Sequence, residues 1–289
     1  MRVVITGANG QVGWELSRSV PTWAEAIVLP RKELDITNRD GVFQLLRELK
    51  PDIVINAAAY TQVDRAESEP ELAHKINAEA PGQLAGCCVE LGARLIHIST
   101  DAVFSGGSGR PWQEGDNPNP VNVYGASKLA GEQAILRVGN CNSTILRTAW
   151  VYSVHGNNFI KTILRLFAQQ PVVRVVDDQL GTPTSAAGLA GAIWRTVQDP
   201  DISGILHWTD AGSASWYDVA QAIGELGVEL ELLQNPAPLQ PISSAEFPRP
   251  APRALYAVLD KHKSWGRLAI TPGHWREALA GMMQELAAG

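Results

Sequence analysis

The chain of 289 residues is 45% hydrophobic and 19% charged, the balance of an ordinary globular protein with room for a large core and a smaller second lobe. A formal charge of -6 with no Lys/Arg-rich run argues against a nucleic-acid surface, so anionic ligands must be met by local donors. No apolar run approaches membrane-spanning length, and Cys87, Cys88 and Cys141, at no ligand spacing, read as reduced thiols of a cytoplasmic protein.

Arg2 to Thr6 is a β-branched run, so the chain opens on a strand and no signal peptide is expected before it. Gly7-Ala-Asn-Gly10-Gln-Val-Gly13 stops that strand and leads into a helix from Val12 to Val20. A second strand covers Ala26–Leu29, a helix Asp40–Lys50 and a third strand Asp52–Asn56, its unbroken apolar character indicating burial on both faces. Pro70 opens a helix to about Leu91, a fourth strand follows over Ala93–Ser99, a helix over Asn122–Arg137 and a strand over Ser143–Arg147. Strand and helix alternating at this cadence predict an α/β protein with a Rossmann-type, doubly wound parallel sheet.

Beyond Trp150 the rhythm loosens. Helices are expected over Asn158–Ala168, Ala186–Val197 and Ser215–Leu226, the last capped by Ser213 or Ser215, with strands over Val172–Val176 and Gly204–Trp208. Six prolines between Asn235 and Pro252 read as an ordered loop, because helix-like sequence resumes after it. The expected division is a dinucleotide-binding domain over 1–150 and a smaller α/β substrate-binding lobe over 151–289, with the chain crossing back to the first domain.

A glycine turn between strand and helix lets the backbone approach a pyrophosphate, and the helix N-terminus supplies N–H donors and a positive dipole end. Gly7, Gly10 and Gly13 are thus the expected cofactor cradle. An acid at the end of the second strand would bind a ribose diol, whereas an arginine tolerates a 2′-phosphate. Arg31-Lys32 follow Leu29-Pro30, so NADPH is favoured, and nearby Glu33 and Asp35 keep NADH as the alternative.

Tyr124 and Lys128 lie one helical turn apart, so a phenol and an ammonium share a face. The ammonium, together with an oxidised nicotinamide, is expected to make the phenol more acidic. Alone this pair is weak, since two common residues fall four apart by chance. Ser99-Thr100-Asp101 at the carboxyl end of the preceding strand strengthens it, because ligands of open α/β sheets bind there. The combination points to carbonyl reduction or its reverse, with Tyr124 as proton donor, Thr100 bonding the substrate oxygen and Lys128 holding the ribose. The six histidines, at positions 74, 97, 155, 207, 262 and 274, show no ligand spacing and read as structural or solvated. Trp150, just past a strand end, could wall a pocket, and Asp177-Asp178-Gln179 reads as turn chemistry.

These residues, with Asn56-Ala-Ala-Ala-Tyr-Thr61, Arg147-Thr-x-Trp-Val-Tyr152, Gly156-Asn-Asn-Phe159 and Asp178-Gln-x-Gly-x-Pro-Thr184, resemble the dTDP-4-dehydrorhamnose reductase family of the extended short-chain dehydrogenase/reductases over essentially the whole chain. The resemblance implies NAD(P)H-dependent reduction of the C4 ketone of dTDP-4-dehydro-β-L-rhamnose, the last step of dTDP-L-rhamnose synthesis. It places Gly10, Gln11 and Val12 at the pyrophosphate, Asp35 and Ile36 beside the adenine, Ala59, Tyr60 and Thr61 along the cofactor groove, and Thr100, Asp101 and Trp150 against the sugar. Three departures stand out. Ala102 replaces an aromatic residue, which implies a looser pocket. Glu15 is present but Ser185-Ala-Ala-Gly188 offers no carboxylate, which implies a monomer or a dimer without bridging magnesium. Arg253-Ala-Leu-Tyr-Ala-Val-Leu-Asp260 only partly follows the family pattern at a diphosphate contact. The alternatives are an NAD-retaining sugar-nucleotide epimerase or dehydratase, and a non-catalytic subunit resembling the regulatory subunit of methionine adenosyltransferase.

Overall fold

A computed structural model describes residues 1–289. Six parallel strands form the central sheet in the spatial order Gly204–His207, Ser143–Thr148, Arg94–Thr100, Ile53–Asn56, Arg2–Thr6, Glu25–Leu29. The order reverses between the first and third strands, and this switch point opens a crevice at their carboxyl ends. Helix Gln11–Arg18 and helix Ala186–Gln198 cover one face around Ile5, Leu16, Ile193 and Trp208. Helices Arg39–Leu49 and Ala80–Leu91 cover the other, around Val4, Leu46, Leu84 and Ile145. Each face therefore carries its own apolar layer, as continuous Val/Ile strands require.

The sixth strand comes from the second half of the chain: Gly204–His207 pairs with Ser143–Thr148 after the Ala186–Gln198 helix has crossed the sheet. The rest of that half builds a lobe with a separate core of Phe167, Val219, Ile223 and Leu279, from helices Phe159–Gln169, Trp216–Glu229 and Trp275–Ala288. Ser215 caps the second of these, exchanging hydrogen bonds with Asp218 in a capping box. The proline-rich segment is ordered and holds a short strand, Leu239–Ile242, paired in parallel with Val173–Val176. Its next turn is tied down by Asp178, which accepts from the Ser244 backbone N–H at 2.8 Å and the Ser244 hydroxyl at 2.6 Å.

The helix from Pro70 to Leu91 contains a wider π-helical turn at Lys75–Glu79. That turn aims Asn77 at the backbone of Tyr60, accepting from its N–H at 2.8 Å and donating to its carbonyl at 2.9 Å. Gly131 lets the Val123–Arg137 helix lie directly on this turn, since a Cβ there would collide with the Asn77 carbonyl. No helix is long and apolar enough to cross a membrane.

Candidate active site

One cavity of about 720 Å³ runs along the carboxyl ends of the strands and under the lobe, within the roughly 300–1,000 Å³ typical of cofactor and ligand sites. At one end lies the glycine turn. Gly7 has φ +76°, and a Cβ on it would stand 2.7 Å from the backbone of Ala57 and Ala58 on the neighbouring strand's exit loop. Glycine is therefore required both by conformation and by close approach. Gly10 caps the following helix with no side-chain hydrogen bond, so the first-turn N–H groups keep their capacity for an external acceptor. The lobe grips this turn: Asn158 donates to Gln11 Oε1 at 3.0 Å and also caps its own helix at Lys161 N.

Gly7, Gly10, Gln11 and Val12 line the cavity, as do Arg31, Asp35 and Ile36. Ala59 and Thr61 follow along the same groove, and Thr100, Asp101, Tyr124, Lys128 and Trp150 close its far end. Two expected residues do not line it. Gly13 is buried beneath the turn, where a side chain would strike the Gly7 carbonyl. Tyr60 turns its phenol away to donate to Glu69 Oε2 at 2.7 Å.

The two candidate discriminators of the cofactor ribose are in different states. Asp35 accepts from both the N–H and the hydroxyl of Thr37, at 3.0 and 2.8 Å, and these bonds hold its carboxyl below the usual range. Arg31 is exposed, with only a 3.5 Å approach to Asp35. The acid is thus occupied while the guanidinium is available.

At the other end, Asn122 accepts from Gly125 N at 2.7 Å and donates to the Pro252 carbonyl at 2.8 Å, capping the Tyr124 helix and joining it to the C-terminal segment. Glu67 accepts from Val123 N at 2.8 Å, a second cap. Tyr124 and Lys128 then project one turn apart. The Thr100 hydroxyl donates to Asp101 Oδ1 at 3.0 Å and accepts from Ala102 N at 3.1 Å. Burial pushes the Asp101 carboxyl up to about 7.

The protein's own groups do not acidify the phenol, which leaves the expected effect to a bound nicotinamide. Burial pushes Tyr124 up to about 12, with the Thr100 hydroxyl opposing and Asp101 reinforcing the rise. Lys128 makes no hydrogen bond to the phenol: its Nζ donates to the Ile98 carbonyl at 2.6 Å, and its own burial lowers it to about 8. A phenol at about 12 is fully protonated at neutral pH. It is still more acidic than the alcohol that forms when an alkoxide takes up a proton. The group is set up to give a proton to a newly formed alkoxide.

Behind it, Glu132 and Arg147 form a buried pair at 2.6 Å, and the Ser99 hydroxyl donates to the same carboxylate at 2.5 Å. Trp150 adopts φ +47° and stacks on Trp216 with ring centroids 3.6 Å apart. Gly181 is needed beside it, since a Cβ there would sit 2.5 Å from the Trp150 ring. Sequence reading missed Trp216, the bond from Asn122 to Pro252 and the link from His97 to Lys128, all contacts distant in sequence. His97 belongs to a row of hydrogen bonds from Thr6 through Asn56 to Lys128.

The chain matches the family model described as RmlD substrate binding domain over residues 1–288. It is 39% identical to dTDP-4-dehydrorhamnose reductase of Escherichia coli K12 over 99% of this chain and 98% of that protein. It is 43% identical to the Mycolicibacterium smegmatis protein of the same name, over 96% and 84%. Among solved structures, dTDP-4-dehydrorhamnose reductase of Bacillus anthracis in complex with NADP superposes with a TM-score of 0.91 at 37% identity, covering 98% of this chain and 99% of that one. With the switch-point cleft, the glycine turn and the Thr100, Tyr124 and Lys128 cluster, these likenesses extend from end to end: the chain belongs to the dTDP-4-dehydrorhamnose reductase family.

Proposed function

We propose that the protein reduces the C4 ketone of dTDP-4-dehydro-β-L-rhamnose to dTDP-L-rhamnose with NADPH, NADH being the alternative donor. The observation that carries this is the placement of Thr100, Tyr124 and Lys128 at one end of a cleft whose other end is an uncapped glycine turn, in a chain similar over its length to reductases of that name. The cradle suits a dinucleotide: Gly7 and Gly10 leave room where side chains would intrude, the first helical turn has no side-chain cap, and Arg31 is exposed with only a 3.5 Å approach to Asp35, whose other oxygen Thr37 occupies.

Bound nicotinamide supplies the hydride. The side chains do the rest. Tyr124 gives its phenolic proton to the oxygen left on C4, and Thr100 orients that oxygen. Lys128, fixed by the Ile98 carbonyl, holds the ribose and offers a proton to the tyrosine oxygen. Trp150, braced by Trp216, forms a wall for the sugar, and Asp101 contacts it from the strand end. Ala102 lines the same wall and leaves it open where a larger residue would narrow it.

We place the enzyme in the cytoplasm, acting on a small sugar nucleotide with no nucleic-acid or membrane partner, as a monomer or a metal-independent homodimer. Glu15 supports the last point, because Ser153 donates to one oxygen at 2.7 Å and Arg18 to the other at 2.5 Å. The test follows NADPH absorbance with purified protein and dTDP-4-dehydro-L-rhamnose, beside Tyr124→Phe. Stoichiometric oxidation that requires both sugar and Tyr124 supports the reading. Turnover without net oxidation would instead indicate an epimerase, and no reaction from folded protein would indicate a binding role.

A further inference from the structure

Lys128 meets a second buried group besides the Ile98 carbonyl: Nε2 of His97, 3.4 Å from its Nζ. His97 is fully buried on the central strand, and burial together with the nearby lysine keeps its imidazole neutral. A neutral imidazole carries one hydrogen, and the neighbours decide which nitrogen holds it. His97 Nδ1 faces Asn56 Nδ2 at 3.0 Å. The orientation of that amide follows from its other end, where Asn56 Oδ1 accepts from the Thr6 hydroxyl at 2.8 Å and lies 3.3 Å from the Ala58 backbone N–H, which Thr6 Oγ1 meets at the same distance. A backbone N–H can only donate, so the amide oxygen belongs on that side and the NH₂ group points at His97. Nδ1 is then the acceptor, the ring hydrogen sits on Nε2, and it is aimed at Lys128.

The geometry points to His97 as a positioning residue for Lys128: by presenting a fixed Nε2–H to the lysine nitrogen, it favours the uncharged amine over the ammonium. An amine accepts that hydrogen and still donates to Ile98 O, whereas an ammonium faces it donor to donor. The other charged or titratable groups around Lys128 are Tyr124 and Glu132 on its own helix, Asp101 at the end of the adjacent strand, and Arg147, which pairs with Glu132. Glu132 favours the ammonium, so His97 and burial oppose it. The balance leaves a lysine able to pass a proton to the Tyr124 phenolate, becoming the amine, and then to take one back from water. Brønsted behaviour makes such a group effective when its affinity for the proton is near the working pH. This consequence rests on the proposed reductase activity, whereas the tautomer does not.

The first measurement is a long-range ¹H–¹⁵N correlation on the full chain labelled with ¹⁵N-histidine, assigned by loss of the His97 signals in His97→Gln. Nε2 protonated and Nδ1 bare across neutral pH is the expected pattern. A hydrogen on Nδ1, or an imidazolium, overturns the inference whether or not the enzyme turns over. The second measurement uses Asn56→Asp, whose carboxylate accepts from Nδ1 and moves the ring hydrogen away from Lys128. The alkaline limb of kcat/KM is expected to shift up by roughly one pH unit. In a variant shown by the same spectrum to carry the exchanged tautomer, a limb that stays in place or moves down overturns the role. Absence of NADPH oxidation by the unaltered enzyme would instead remove the reductase reading and leave the tautomer result standing.

Discussion

Glu132 and Arg147 have side chains only 2% and 1% exposed, so removing one partner should expose the cost of burying the other. In Glu132→Leu, Arg147 loses bonds from Nε at 2.9 Å and from Nη2 at 2.6 Å, and the Ser99 hydroxyl loses its 2.5 Å acceptor. What remains to the guanidinium is a 3.4 Å approach to the Glu114 carbonyl and the face of Phe104, 5.0 Å away. Breaking a buried pair from one side costs about 3–5 kcal/mol, because a charge is left without its partner. For a chain of this size that corresponds to a fall in Tm of roughly 5–8 °C. In the double variant Glu132→Leu/Arg147→Met both charges are gone, and about 2 kcal/mol or less should separate it from the parent, most of it from the stranded Ser99 hydroxyl. The assay is urea unfolding of the parent, both single variants and the double, followed by tryptophan fluorescence and by far-ultraviolet circular dichroism. A double variant no more stable than Glu132→Leu would refute the assignment of the loss to an uncompensated charge. It would point instead to packing between the helix and the sheet.

Other outcomes follow from single contacts. Tyr124→Phe should lower kcat by about 10²–10⁴-fold with little change in NADPH affinity, checked by steady-state kinetics and fluorescence titration; equal losses in both would make the phenol a binding group. Arg31→Ala should weaken NADPH by roughly tenfold and leave NADH unchanged, because only the 2′-phosphate distinguishes them; parallel losses would remove Arg31 from that role. Asp210, buried and raised to about 7, retains its proton in the folded chain while the unfolded chain releases it near 3.8. Between those values the unfolded state binds fewer protons, so this group lowers stability as pH rises and has no further effect above about 7. In Asp210→Asn, which keeps an oxygen for the Ser185 N–H, the decline in Tm between about pH 4 and about 7 should be shallower; an unchanged slope would exclude Asp210 as a source of it.

What the sequence made legible was local. The glycine turn announces itself because three glycines fall in one short bend between a strand and a helix, and the Tyr124 helix because it continues the alternation of strand and helix. The second half was less readable where short strands pair over long separations: Leu239–Ile242 contains Pro241 and finds Val173–Val176 only in three dimensions. Lys128's expected share in acidifying Tyr124 is not seen for a related reason. Helical spacing places an ammonium near a phenol but carries no information about how deeply both are buried, and burial decides the direction for each. His97 was set aside as one of six scattered histidines, yet the signal was available in the strand register. Thr6 pairs with Asn56 and Asn56 with His97 across three adjacent parallel strands, so the polar residues of otherwise apolar runs form one row. A polar residue inside a doubly covered strand must find a partner, and the nearest place is the same level of the next strand. Aligning the third and fourth strands by their amino ends, Asp52 beside Ala93, brings Asn56 level with His97. The end of that row reaches Lys128, and a hydrogen-bond pattern that satisfies the sheet interior thereby sets the environment of a group in the cleft.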